Sequence, residues 1–320
     1  MAGRRQQELQ SSERSSKAPR PNKSPIMVHP APDGNIATGL SLVPGTESRQ
    51  YHSKIESIYA LPADGQEFDR LEAQHRLIGL LFGGTVSAPI ELKTGSKVLD
   101  VGCGPGSWIK QVKTEHPEIE AYATDFADTF KPSDAQVKFV HGDILKGLPF
   151  EDDTFDLVHM RFFTGALKVS EWPVAAKELA RITRPGGWVQ MVEPDGTLRS
   201  ERGITDAIAD WNKRGMRGSL EKRGGEPNAG PKLHEFMAAA GLTNIDNKAK
   251  SAPMNSKVGP VGAHMNADYQ ALITTLAPVL AQSWDMTPAE VVEWGRKVMA
   301  DCNSVEGFHN FHTAVGQKPQ

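Results

Sequence analysis

The sequence predicts an α/β fold, a doubly wound and mostly parallel sheet of seven strands, and three observations predict it. Short apolar runs alternate with stretches of helical periodicity, which implies parallel crossovers with helices on both faces of a sheet. The run Val98-Leu99-Asp100-Val101 breaks into Gly102-Cys103-Gly104-Pro105-Gly106 and then into a helical pattern, so it reads as strand, tight turn, helix. Asp125 closes the following apolar run about 20 residues beyond that turn, the spacing at which doubly wound folds place a ligand-binding acid.

At 320 residues the chain can bury a substantial core. A net charge of −3 with 23% charged residues favours neither nucleic acid nor an acidic substrate surface. Two cysteines, Cys103 and Cys302, argue against a disulfide framework, and neither spacing suits a metal. No apolar run reaches the roughly 18 residues of a membrane span, and the polar N-terminus lacks the apolar centre of a signal peptide. A cytoplasmic protein is expected, with no metal, nucleic acid or membrane as partner.

Residues 1–46 are rich in Ser, Pro, Gln, Arg and Lys and too poor in apolar side chains to offset the entropy of ordering. A disordered tail is expected, its Arg4, Arg5, Arg14, Lys17, Arg20 and Lys23 either solubilising it or forming a nuclear address. Residues 47–320 read as one domain, with a ligand-binding core at 95–195 and further elements at 51–90 and 196–305.

Asp64-Gly65-Gln66-Glu67 offers an N-cap with a glutamate three residues on, and Phe68, Leu71, His75, Ile78 and Phe82 then line one helical face up to Gly83-Gly84. Trp108–His116 is the helix after the glycine turn and stops at Pro117. Strands follow at Ala121–Thr124, Val137–Val140 and Phe155–His159. A helix opens at Trp172-Pro173, and Arg184-Pro185-Gly186-Gly187 turns into a fifth strand, Trp188–Val192. Ile204, Ile208 and Trp211 mark an inserted helix before a Gly- and Lys-rich loop around Gly224-Gly225. Leu233–Ala240 is helical and Leu242–Ile245 begins a sixth strand. Helices span Tyr269–Gln282 and Pro288–Asp301, and Phe308–Val315 has the character of an edge strand.

Ligands of such sheets bind beyond the carboxyl ends of the strands. The glycine turn, Asp125, the stretch His141-Gly142-Asp143-Ile144 and the residues after Val158 all fall at that edge. Glycines at 102, 104 and 106 admit positive φ and let a ligand approach the main chain, where free N–H groups at the helix start face it. A dinucleotide fingerprint needs glycine at 107, and Ser107 stands there, so a nicotinamide enzyme is the poorer reading.

The form acid, then G-x-G-x-G, resembles the first motif of class I (seven-strand, Rossmann-like) S-adenosylmethionine-dependent methyltransferases. The order of signals over 95–195 is similar to theirs, and the closing strand matches their antiparallel seventh strand. A narrower set, Tyr59-Ala60-Leu61-Pro62-Ala63-Asp64, Glu67, Arg70-Leu71, Gln74-His75 and Met160-Arg161, resembles the fungal LaeA-like and secondary-metabolism methyltransferases. The resemblance implies S-adenosyl-L-methionine as cofactor, with Gly102, Gly104 and Gly106 at its methionine part, Asp125 at the ribose and Asp143 with Ile144 at the adenine. Asp100, Phe126, Gly142, Met160 and Arg161 complete the implied set. It further implies methyl transfer to an O, N or S atom of a small molecule of secondary metabolism. The alternative is a LaeA-like regulatory protein acting through protein partners.

A sulfonium methyl is electrophilic, so positioning does most of the work and a base is needed only for a protonated acceptor. His75, His159 and Glu193 are the candidates, each also readable as a buried structural residue. The helix at 67–82 and those late in the chain are expected to cover the ligand edge as a lid.

Overall fold

Strands β1 (Lys97–Val101), β2 (Glu120–Asp125), β3 (Val137–His141), β4 (Phe155–Arg161), β5 (Thr183–Arg199), β6 (Thr243–Pro253) and β7 (Phe308–Gln317) form one sheet in a computed structural model. Described are residues 58–62, 64–127 and 136–320; the tail assigned to 1–46 lies outside them. The strand order is β3-β2-β1-β4-β5-β7-β6. Strands β1 to β5 pair in parallel, while β7 runs antiparallel to both β5 and β6. Strand order reverses between β1 and β4, and the carboxyl ends of those strands therefore flank a crevice.

The helices are α1 (Gly65–Phe82), α2 (Ser107–Glu115), α3 (Trp172–Ile182), α4 (Asp206–Arg214), α5 (Met216–Lys222), α6 (Ala229–Ala239), α7 (Gly259–Trp284) and α8 (Pro288–Ser304). Side chains alternate across each strand, so neighbours in sequence enter different cores. Val98, Leu157 and Trp188 pack with Ile109 and Val112 of α2. Leu99, Val158 and Val189 pack with Leu179 of α3 and Leu233 of α6. Burial on both faces is why these strands read as continuous apolar runs. A third core joins α1, α4, α7 and α8 to the ends of β5 and β7 through Leu77, Trp211, Tyr269, Val298 and Phe311.

Two expectations need correction. The last strand is not at an edge: Phe311, Ala314 and Val315 are buried between β5 and β6, whereas β6 exposes most of Thr243–Ser251 and takes the edge. Its Lys248 and Lys250 suit that position, since charge on an exposed edge deters pairing with other chains. The face of α1 that turns inward also differs from the apolar stripe. Asp64 caps the helix by accepting from the Glu67 N–H at 3.1 Å, as its spacing predicts. Yet Glu67, Arg70 and Gln74 are buried with His75, Leu77 and Ile78, while Phe68, Leu71 and Phe82 are only half-buried.

The buried polar face is explained by a fork. The Arg70 guanidinium donates to Glu67 at 2.6–3.1 Å on its own helix and to Asp268 of α7 at 2.8 Å, and Gln74 donates to Asp268 at 3.2 Å. Every charge is paired within a dry contact, so α1 is tied to α7 by geometry that an apolar stripe would not impose. The family-like residues Glu67, Arg70 and Gln74 thus hold one helix to another. Sequence periodicity missed α5 and the whole first part of α7, where glycine, proline and small residues dilute the helical signal. Among the described residues no helix is long and apolar enough to cross a membrane.

Removing the guanidinium strands two buried carboxylates. Arg70→Ala is expected to cost about 3–5 kcal/mol of unfolding free energy in urea, and a loss below about 1 kcal/mol would mean that the fork does not secure α1 to α7.

Candidate active site

The carboxyl ends of β1 to β4 open into a cavity of about 210 Å³. Its floor is the glycine turn. Gly102, Gly104 and Gly106 have φ of +65°, +52° and +82°, and the Gly102 and Cys103 N–H groups donate to the Thr124 carbonyl. A Cβ on Gly102 would collide with the ring of Phe163, and one on Gly142 would stand 2.8 Å from Thr124 Oγ1. At the end of β2, Asp125 accepts from the N–H groups of Gly104 and Ala127, both at 2.8 Å. Asp143, after β3, accepts from the Leu145 N–H at 3.1 Å.

Of the residues implied by the resemblance, Asp100, Gly102, Gly104, Asp125, Phe126, Gly142, Asp143, Ile144 and Arg161 line this one cavity. Met160 does not: it is buried in the core between β4 and α3. Gly106 lies behind the lining as the N-cap of α2, where its carbonyl accepts from Lys110. Three carboxyl groups, of Asp100, Asp125 and Asp143, and the Arg161 guanidinium line the cavity. Burial pushes the Asp100 carboxyl up to about 7, against the pull of Arg161. Burial likewise raises Asp125, opposed by the N–H groups that it accepts from.

The three base candidates are brought near one another's elements but not into this cavity. His75 Nε2 meets Gln111 Oε1 at 2.5 Å, and its Nδ1 lies 3.2 Å from an Arg161 nitrogen. Arginine is donor only, so Nδ1 accepts and His75 is neutral, consistent with a proton affinity lowered by burial and by Arg161. His159 stacks on Trp108, with ring centroids 3.9 Å apart, and burial lowers its affinity further.

Glu193 is fully buried on β5 and accepts from the Phe163 N–H at 2.6 Å, the Thr164 N–H at 3.0 Å and the Thr164 hydroxyl at 2.7 Å. It holds the turn 162–165, in which Phe162 takes a φ of +63° that side chains rarely adopt. That turn is a partition. Phe162 and Phe163 line the first cavity, while Phe162, Thr164 and Gly165 line a second chamber of about 170 Å³. Tyr59 and Leu71 also face both.

The second chamber is walled by α1, α4, α5, α7 and the ends of β5 and β7, and is largely apolar. Sequence reasoning missed its polar residues Asp195, Arg217, Ser219, Arg223, Asp268 and His309. Asp195 and His309 are 114 residues apart and meet only because β7 pairs with β5. The available signal was a histidine at an inward position of an alternating strand, Phe308-His309-Asn310-Phe311.

A family model described as a methyltransferase domain matches residues 98–187. Methyltransferase pytC of Aspergillus terreus is 26% identical over 284 residues, covering 85% of this chain and 86% of pytC. Residues 98–187 of this chain carry a methyltransferase domain. The secondary metabolism regulator laeA of Aspergillus fumigatus is 30% identical over 223 residues, 65% of this chain and 56% of that relative. Among solved structures, Haemonchus contortus phosphoethanolamine N-methyltransferase 2 in complex with S-adenosyl-L-methionine is similar at a TM-score of 0.46 and 20% identity, over 79% of this chain and 53% of that one. The expected fold and methyltransferase character stand, and the matched residues include none of the helices that wall the second chamber.

Burial pushes Glu193 up to about 7, the Thr164 and Phe163 donors notwithstanding. Between pH 4.5 and 7 the folded protein therefore keeps a proton that the unfolded chain releases, and stability falls as pH rises through that window. Glu193→Gln removes this ionisation. Its melting temperature is expected to decline less steeply than that of the wild type over the same range, and parallel declines in a pH series of thermal melts would refute the assignment.

Proposed function

We propose that this chain transfers the methyl group of S-adenosylmethionine to an O, N or S atom of a small molecule seated in the second chamber. One observation carries the reading: a cavity built on the glycine turn and lined by Asp100, Asp125 and Asp143 shares a wall with a second, largely apolar chamber. The first cavity fits the cofactor chemically. Carboxylates of Asp100, Asp125 and Asp143 suit its ammonium, sulfonium and hydroxyls, and Thr124 Oγ1, buried with no hydrogen-bond partner among the described residues, offers a further polar contact.

When bound, the cofactor supplies an electrophilic methyl. Asp125 accepts backbone N–H groups, among them those of Gly104 and Ala127, and a carboxylate's four lone pairs leave room for a ribose hydroxyl. Gly104 keeps main chain open toward the methionine part, and Ile144, Leu148 and Leu167 offer apolar surface beside Asp143 for the adenine. Phe162 and Leu71, common to both spaces, orient the acceptor toward the first cavity and exclude water. Holding two reactants in line contributes on the order of 7–11 kcal/mol to such transfers.

Similarity to laeA favours a second reading, a protein acceptor or partner. Methylation of an intact partner protein, with no turnover of any small phenol, amine or thiol, would replace the first reading with the second.

Calorimetric titration tests the cofactor site. S-adenosylmethionine and S-adenosylhomocysteine are expected to bind at micromolar Kd, about 10- to 100-fold more weakly in Asp125→Ala. Unchanged affinity in that variant would remove Asp125 from the site.

A further inference from the structure

We propose that His309 accepts the proton of the methyl acceptor, and that the second chamber therefore takes an apolar molecule presenting a weakly acidic hydroxyl, an inference that rests on the small-molecule reading above. His309 stands on β7 opposite Leu198 of β5. Because β7 is antiparallel, its start lies at the edge where β5 ends, beside the partition turn. The ring is 5% exposed and lines the chamber.

Its two nitrogens differ. Nε2 lies within hydrogen-bond distance of the Asp195 backbone carbonyl, with an Asp195 carboxylate oxygen 3.7 Å away. A carbonyl only accepts, so Nε2 carries the hydrogen and Nδ1 carries a lone pair. Nδ1 is buried with no hydrogen-bond partner among the described residues. The same holds for the hydroxyl of Ser219 on α5, which lines the same chamber. Most buried polar atoms are paired; two orphans on residues lining one chamber point to a ligand that pairs them. Around them stand Trp211, Met265, Leu272, Leu276 and Leu280, so the body of that ligand is apolar.

The charged and titratable groups about His309 are Asp195 and Arg199 from β5, Asp268 and Tyr269 from α7, and His312 from β7, with Arg70 of α1, Arg217 of α5 and Arg223 after it lining the same chamber. Asp268 is taken by Arg70, and Asp195 pairs with Arg199 at 2.7 Å. Burial dominates and lowers the ring's proton affinity, against the pull of Asp195. The imidazole is thus neutral at pH 7 and able to accept. In the transfer, the hydroxyl proton passes to Nδ1 as an oxygen lone pair forms the new C–O bond. The C–S bond breaks with its electron pair left on sulfur, giving a methyl ether, a thioether and an imidazolium steadied by Asp195.

The probes are 2-naphthol and 1-nitro-2-naphthol, the second ionised without help at pH 8. With full-length wild type, methylation of 2-naphthol is expected to lose its kcat/KM on an acidic limb below the ordinary histidine range, and the nitro compound is compared with it at pH 8, where it is ionised. His309→Gln keeps an N–H for the Asp195 carbonyl. It is expected to bind S-adenosylmethionine as the wild type does, to bind 2-naphthol about tenfold more weakly by calorimetry, and to lose about 100-fold in kcat on 2-naphthol alone. Ser219→Ala is expected to raise KM and leave the acidic limb in place. Equal losses on both naphthols, an acidic limb that survives in His309→Gln, or wild type that binds S-adenosylmethionine yet methylates neither probe would overturn the proposal. Wild type that fails to bind S-adenosylmethionine would instead overturn the reading on which it rests.

Discussion

A buried carboxylate with three donors fixes the geometry on which both cavities depend. Glu193 reaches from β5 across the end of β4 and holds the backbone of Phe163 and Thr164. An ionisable group without a cation in hydrogen-bond contact is costly to bury, and it persists because each oxygen is satisfied by groups that have no other place to go. The turn it holds carries a left-handed Phe162 and presses Phe163 against Gly102. Loosening that one turn would change the floor of the first cavity, the wall of the second and the passage between them together.

The cover over the sheet rests on a different kind of contact. Arg70 joins α1 to α7 through paired charges rather than through shape, and apolar side chains such as Leu77, Ile78 and Tyr269 fill in around it. Such a fork contributes less to stability than to direction, since a guanidinium that must meet two carboxylates admits one registry of the helices. With α1 so placed, Phe68 and Leu71 fall over the glycine turn instead of into the core.

Much of this was legible in the sequence. The parallel strands announced themselves as short apolar runs because burial on both faces demands it, and the glycine turn and Asp125 were readable because backbone conformation and carboxylate chemistry leave few substitutes. Positions set by long-range pairing were not legible. Phe308–Gln317 alternates as an edge strand would, yet it lies inside the sheet because β6, with its run of exposed residues, is the better edge. Glu67, Arg70 and Gln74 fell outside the apolar stripe, and only the carboxylate of Asp268, nearly two hundred positions away, accounts for their burial. His75, His159 and Glu193 were legible as buried groups, but whether such a group meets a ligand or a neighbour is decided by packing.

The internal place of β7 has a consequence for how the chain is made. A nascent chain that has completed β5 holds Val189 and Met191 in a strand whose outer edge has no partner, and β6, synthesised next, cannot supply one because it pairs only with β7. Both edges wait for Phe308–Gln317 to emerge after α7 and α8. Non-local pairing of this kind is slow and leaves strand edges open to other chains. The pairing of β5 is thus completed only once α4 to α8 and then β7 have been made.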